Sequence, residues 1–473
     1  MIWRLVLVAL AAAAGAQASD LTPQQRRGKQ IFERGESGAR LKITAILGNE
    51  NTAVPATAAP CANCHGVDGR SGATESGITP PDITWARLTR PYGAMPYTDR
   101  LLRRAVSLGI NSAGGRLYNV MPRYQMQYGD MDDLLAYLKV VGTLAERGIT
   151  DDEVHVGLIL PAKGTMTAAG QAVQSALTAY FSELNAAGGI YSRRIVLHAS
   201  QPPIEKFLDA QPLFALVSSF LAGSEPNVTE MLRERGLPLV GAFTLFPQLT
   251  QPVNPFVFYF YAGVPGEAEA LVKFASKEGT DGVAVVHAVE GIFAIAADSI
   301  TPSVRRFEVS DAASTAKALA DANVKTALFL MPAATASSLI RETARLKTPV
   351  TVLLPASLAN DDVLKAVAET KSPAYLAMPT LPGDTAPEAL VEYRKLAARH
   401  SLSTANLPAQ YQAIASAKVL VEGLKQTGRQ VTAARLIGAL EQLRDFAPGL
   451  GPAVSFGPNR RVGVSGMRIV PLP

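Results

Sequence analysis

From Val154 onward the chain alternates short apolar, β-branched runs with longer stretches whose apolar residues recur every three or four positions. The runs Val154 to Leu160, Ile195 to Ala199, Phe214 to Ser218 and Leu237 to Gly241 predict strands, with helices at Ala168 to Ala187 and Asn227 to Arg235. A second set keeps the rhythm: helix Glu267 to Glu278, strands Val283 to His287 and Thr326 to Met331, helix Ala333 to Leu346, strand Val350 to Leu354, helix Asp361 to Thr370 and strand Tyr375 to Met378. Such alternation predicts α/β architecture with parallel sheets and helices on both faces, and residues 154–473 suffice for two lobes. Ligands of these folds sit at the carboxyl ends of the strands, here in a cleft between lobes. Two connections, His198 to Phe214 and the one after His287, are too short for a full intervening helix. Ahead of this pattern a helical stretch ends near Val141.

Composition agrees with packed domains. The 473 residues are 48% hydrophobic and 18% charged with 38 Gly and 32 Pro, which excludes disordered, collagenous and coiled-coil classes. Arg4, the apolar run Leu5 to Ala16 and the small-x-small site Ala16-Gln17-Ala18 read as a secretory signal peptide over 1–18. That run is shorter than the ~20 residues of a membrane span. The uncharged stretch Gly236 to Gly266 is broken by Pro238, Pro247, Pro252, Pro255 and Pro265, so it predicts no span either. The sequence therefore predicts an exported, soluble, periplasmic protein with no transmembrane segment after signal removal. Ser19 to Thr150 carries 16 Lys and Arg against 12 Asp and Glu, whereas Asp151 to Pro473 carries 28 of each. The cations are scattered without interleaved aromatics, which argues against a nucleic-acid partner. A polar seam, Leu144 to Glu153, divides the mature chain into modules at 19–147 and 154–473.

The two cysteines of the chain stand in Cys61-Ala62-Asn63-Cys64-His65, and C-x-x-C-H is the attachment pattern of c-type haem. On a helical turn the two thiols share one side and each can form a thioether to a porphyrin vinyl, while the next residue offers its imidazole to the iron. A zinc site would need two further soft ligands, and no other cysteine exists. A redox dithiol would not need histidine at this offset. One covalently attached haem c is the expected cofactor, with His65 as an axial ligand.

His65 is the only histidine between Ser19 and Thr150, so the other axial ligand within this module is not histidine. The methionines there are Met95, Met121, Met126 and Met131. Met121 precedes Pro122 and the acidic helix start Asp130 to Asp133, giving a stiff loop able to hold a thioether over the haem. Met95 sits just before a helix and reads as packing, Met131 as core. With the entry helix Gln24 to Phe32, CANCHG, Gly72 to Asp82, the helix Arg100 to Leu108, Asn119-Val-Met-Pro-Arg-Tyr124 and the terminal Tyr137-Leu138, the segment resembles a class I cytochrome c. The resemblance implies an all-α fold for the first 150 residues, Met121 as the distal ligand and a carbonyl of Pro80 or Pro81 on the proximal imidazole, fixing its tautomer. The connection Gly35 to Pro60 is longer than small cytochromes need. Histidine–methionine ligation closes both axial positions and implies one-electron transfer rather than an enzyme. Arg100, Arg103 and Arg104 share one helix face and are candidates for steering an acidic redox partner, such as a periplasmic dehydrogenase or another cytochrome.

The second module resembles the type I periplasmic solute-binding domain of the branched-chain amino-acid kind. The carrying residues are Val156 to Pro161, Leu184-Asn-Ala-Ala-Gly-Gly-Ile190, Arg235 to Gly241 with Pro247 to Thr250, and the helices Tyr411 to Gly423 and Leu436 to Leu443. The resemblance implies a small-molecule ligand in the cleft, held by hydroxyls after lobe-one strands, and the matching positions are Ser218, Ser219 and Thr244. Leu245 and Phe246 stand where small or hydroxylated residues belong, and Phe220, Phe243 and Phe293 make the expected cleft apolar. His155, His198, His287 and His400 show no ligand spacing. The combined expectation is an electron-transfer cytochrome with a ligand-sensing or partner-docking domain. The alternative is the substrate-binding receptor of an ABC-type transporter with an accessory haem.

Overall fold

The computed structural model describes residues 21–472 apart from 40, 71–77, 91–94, 143–145, 163, 165, 222–224, 250–251, 278–282, 290, 299, 301–304, 347–349, 430 and 465. The signal segment 1–18 lies outside the described residues, as do 72–77 of the stretch after the haem motif, Leu144 and Ala145 of the seam, Thr250 and Glu278. The chain divides into two compact units, Met1–Arg147 and Gly148–Pro473.

The first unit begins with α1 (Pro23–Arg34), which starts where Thr22 and Gln25 cap each other's backbone and Pro23 occupies the first helical position. There follow β1 (Thr44–Leu47), β2 (Thr52–Pro55), α2 (Cys61–His65), α3 (Trp85–Thr89), α4 (Asp99–Leu108), β3 (Arg123–Gln125) and α5 (Tyr128–Leu138). The central packing is α1 against α5. Gly28 makes the crossing close: a Cβ there would lie 2.0 Å from the Asp133 carbonyl oxygen. Around it Ile31 and Phe32 meet Leu134, Leu135 and Tyr137, with the Phe32 and Tyr137 rings 5.4 Å apart. To the expected helices the structure adds a small antiparallel sheet, β2-β1-β3, whose β1 and β2 come from the long connection before the haem motif and whose β3 follows Met121.

The second unit opens with β4 (Glu153–Ile159), α6 (Thr167–Ala186), β5 (Arg194–Ser200), α7 (Ile204–Ala210), β6 (Ala215–Val217), α8 (Glu225–Arg235), β7 (Leu239–Val240) and β8 (Val257–Phe258). These strands form one parallel sheet in the order β5-β4-β6-β7-β8. The other lobe holds α9 (Gly263–Lys277), β9 (Ala284–Ala288), α10 (Ile292–Asp298), β10 (Arg305–Val309), α11 (Ala312–Asp321), β11 (Thr326–Leu330), α12 (Ala333–Arg345), β12 (Thr351–Pro355), α13 (Asp361–Thr370) and β13 (Ala374–Met378). After α14 (Pro387–Arg399), α15 (Leu407–Thr427) and α16 (Ala433–Gln442), β14 (Arg468–Leu472) completes the sheet β10-β9-β11-β12-β13-β14, antiparallel to β13. Both sheets are buried on two faces. Val154, Val156 and Leu158 enter one core while Ile159 enters the other, which is why these strands read as unbroken apolar runs. The two short connections do contain helices, α7 and α10, of seven residues each.

Candidate functional site

In the first unit, α2 is a single helical turn because Pro60 can only precede it and Gly66, at φ 73°, leaves the helical region immediately after His65. Cys61 and Cys64 are half-buried and not bridged to one another. Burial pushes the Cys61 thiol up to about 12, so it is held as a neutral S–H. His65 is buried, and its Nδ1 lies 3.0 Å from the Pro81 carbonyl oxygen. A carbonyl can only accept, so Nδ1 carries the proton and Nε2 keeps its lone pair for a metal. Burial lowers the imidazole pKa, with the Pro81 carbonyl pulling the other way, and the neutral ring is the form an iron requires. The donor set therefore fits a c-type haem: two unbridged thiols on one turn and an oriented neutral imidazole. Of the two prolines considered, the 3.0 Å contact is to Pro81.

Met121 is half-buried in a turn where its N–H donates to the Tyr118 carbonyl (3.0 Å), followed by buried Pro122 and by β3. Met95 is 58% exposed and packs on nothing that buries it, contrary to its reading as packing. Met131 lies in the core as expected, and Met126 packs against that core. The arginine face is largely committed elsewhere. Arg103 pairs with Asp132 and stacks over the Tyr128 ring at 4.6 Å, and Arg104 donates to the carbonyls of Asn111 and Ser112 at 2.6 and 3.2 Å. Positions three and four apart on α4 face the acidic start of α5 and the following loop, and only Arg100 is exposed.

In the second unit the proposed ligand hydroxyls turn inward. Ser218 and Ser219 are fully buried; the Ser218 hydroxyl reaches the Ala413 carbonyl, and the Ser219 Oγ accepts the Ile159 N–H at 3.0 Å. They follow directly on β6, where side chains still alternate into the two cores, and both hydroxyls lie against backbone rather than open to solvent. The Thr244 hydroxyl donates to Glu225 Oε1 (2.6 Å) and accepts from the Phe246 N–H (3.0 Å), which shapes its own turn. Phe220 and Phe243 stack at 4.6 Å with planes 8° apart. Phe246 reaches out of the lobe-one loop into the lobe-two core with Val264, Ala268 and Leu271, its ring edge-on to Phe293 at 6.1 Å. Leu245 and Val289 are exposed in the connections after β7 and β9, and Ile292 and Ile295 on α10. Among the described residues after β6 and β7, the hydroxyls of Ser218, Ser219 and Thr244 are engaged within the protein.

The fold also joins two histidines that spacing gave no reason to pair. His155 on β4 and His198 on β5 place Nδ1 and Nε2 2.9 Å apart, with Glu153 3.3 Å from the other His155 nitrogen. Among the described residues no group of three or more His, Cys, Asp or Glu is disposed to hold a metal ion, and no helix is long and apolar enough to cross a membrane.

Known proteins bear on both units. The cytochrome c family model matches residues 54–141, and the periplasmic binding protein model matches 153–473. No curated protein matches the chain. Among solved structures it is similar to an extracellular ligand-binding receptor from Verminephrobacter eiseniae (19% identity, 67% of this chain and 97% of that one, TM-score 0.52). It is also similar to a branched-chain amino acid ABC transporter protein from Thermus thermophilus with bound valine (14%, 68% and 96%, 0.53) and to a fatty acid ABC transporter substrate-binding protein from Thermomonospora curvata (16%, 70% and 94%, 0.51). Identities this low carry the fold alone, and the fold they carry is the two-lobed one described above. With the family model spanning 153–473, well over half its length, the chain belongs to the periplasmic binding protein family, in a form that carries a cytochrome c domain ahead of the binding fold.

Proposed function

We propose that this protein is an exported, periplasmic, monohaem c-type cytochrome that carries single electrons, with a second domain that docks a partner or senses an apolar ligand. The observation that carries the reading is the 3.0 Å contact between His65 Nδ1 and the Pro81 carbonyl, which fixes the imidazole tautomer one residue from Cys64. Cys61 and Cys64 would hold the haem through thioethers, His65 and Met121 would take the axial positions, and the bound group would supply one-electron redox chemistry. The protein's own part is to orient the imidazole, keep it neutral and bury it. With both axial positions filled by side chains, the role is that of a carrier rather than an enzyme, exchanging electrons with a periplasmic dehydrogenase or another cytochrome.

For the second domain, the inward hydroxyls of Ser218 and Ser219 and the exposed Leu245 and Val289 favour partner docking or an apolar ligand over receptor duty for amino acids. Intact-protein mass after maturation in a cytochrome-competent host tests the first half: one haem is expected, and none when Cys61 and Cys64 are both replaced by alanine. A mature wild-type protein without covalent haem overturns the reading. Thermal unfolding against amino acids, aromatic acids and fatty acids tests the second. A ligand at 100 times its Kd adds ~2.7 kcal/mol, so an amino-acid hit would refute the preference stated here.

A further inference from the structure

The connection between α1 and the haem motif forms a hairpin whose position gives it a task. Strand β1 pairs on one side with β2 and on the other with β3, in the register Thr44↔Gln125, Ala45↔Tyr124 and Ile46↔Arg123. β3 begins two residues after Met121. The hairpin turn, Gly48 to Asn51, reaches the same loop through side chains on both sides of that methionine. Asn119 donates to the Asn49 side-chain oxygen, and the Arg123 guanidinium donates to Asn51 Oδ1 at 2.5 Å. From the interior, Tyr124 donates its hydroxyl to the Ala59 carbonyl at 2.7 Å, tying β3 to the residue two before Cys61. Ala45 and Ala56, which seat the hairpin, are fully buried.

We infer that the Thr44–Pro55 hairpin is a clamp on the Met121 loop, and that Asn49, Asn51 and Tyr124 are positioning residues that set how long the thioether stays on the iron. This rests on Met121 being the distal ligand. A methionine–iron bond is replaced by an external base only after the loop carrying it swings away, so contacts that hold residues 119 and 123 in place lower the population of the open loop and slow displacement. A hairpin that merely covered a haem edge would leave that rate alone.

The test uses the mature full-length ferric protein. The sulfur-to-iron charge-transfer band reports the Met121 bond, and stopped-flow mixing with imidazole reports its displacement. Met121→Ala should abolish the band. The double variant Asn49→Ala, Asn51→Ala should keep the band while imidazole displaces the methionine about tenfold faster, equivalent to about 1.4 kcal/mol. Tyr124→Phe, which keeps the buried ring and loses the hydroxyl's contacts with the Ala59 carbonyl and the Cys61 sulfur, should accelerate displacement in the same direction. A band that survives Met121→Ala overturns the ligand assignment and the clamp with it. A band lost in Met121→Ala together with wild-type displacement rates in both hairpin and Tyr124 variants overturns the clamp alone.

Discussion

Replacing Gly28 by alanine is among the smallest changes the first domain can receive, and the α1–α5 crossing predicts a large response. The added methyl would stand 2.0 Å from the Asp133 carbonyl oxygen, 2.7 Å from its carbon and 2.8 Å from the Tyr137 Cβ. Two of those three atoms are backbone, so no rotamer change relieves the clash. Restoring ordinary contact means moving α5 from α1 by on the order of 1 Å within an interior packed at crystal density. That separation loosens the Arg27 guanidinium from both Asp133 oxygens, now at 2.6 and 2.9 Å, and parts the Phe32 and Tyr137 rings. Overpacking costs about 1–3 kcal/mol, the upper end where backbone must shift, and alanine returns about 1 kcal/mol of helix propensity, which leaves a net loss of about 2 kcal/mol. For a domain of this size that lowers Tm by roughly 8 °C. Gly129 on α5 supplies the control, because a Cβ there meets nothing within 4 Å. Gly129→Ala should stabilise by a few tenths to about 1 kcal/mol. Visible absorbance of the haem during a thermal ramp reads the first domain alone. A neutral or stabilising Gly28→Ala, or shifts of the same sign in both variants, would refute the close-crossing argument.

Other consequences are equally open to measurement. Met121→Ala should lower the midpoint potential in a redox titration, since loss of the thioether ligand removes the group that raises it; an unchanged potential would exclude Met121 from the iron. Ser219→Ala strands the buried Ile159 N–H and should destabilise the second domain by about 1–3 kcal/mol in urea unfolding; a silent substitution would mean the hydroxyl is not structural. Phe246→Ala removes a ring from the lobe-two core and should cost about 3–5 kcal/mol by the same assay. The His198 imidazole is held below its ordinary range by burial and by the neighbouring His155, with Glu153 opposing. The unfolded chain therefore takes up that proton more readily. The contribution to second-domain stability is complete above the ordinary imidazole pKa of about 6.5 and is lost as pH falls through the lowered value. Calorimetry across that window should show a shallower decline in His198→Gln than in the wild type.

What could be read from the chain follows the range over which each signal acts. The haem motif is local: five consecutive residues carry the thiols and the imidazole, and the Pro81 contact lies sixteen positions away within the same loop system. The parallel-sheet architecture was legible because strands buried on both faces are written as unbroken apolar runs, as at Val156 and Leu158. β10 escaped notice because Arg305, Arg306 and Glu308 face outward at a sheet edge, and its sequence RRFEV shows no apolar run. α11, half alanine, shows only a weak apolar stripe, and in the structure it is capped by Asp311. The inward turn of Ser218 and Ser219 and the pairing of His155 with His198 were beyond spacing arguments, since both depend on which strands lie side by side.

The same reasoning explains how two motif families of unequal clarity share one chain. A covalent cofactor demands a fixed set of atoms in a fixed order, so its motif stays sharp even when the rest of the domain acquires a hairpin between α1 and Cys61. A binding cleft demands only that some polar groups converge on a ligand, a looser requirement; after β6 and β7, Ser219 Oγ is used by Ile159 and Thr244 by Glu225, with Phe243 stacked on Phe220 and Phe246 in the lobe-two core. What remains intact in the second domain is what the sheets require, two buried faces and a connecting set of helices. Leu245 and Val289 stand exposed in the connections that follow β7 and β9. The proposed docking or apolar-ligand role and the receptor-like fold make different demands on a ligand, and a screen that included amino acids beside fatty acids would separate the two.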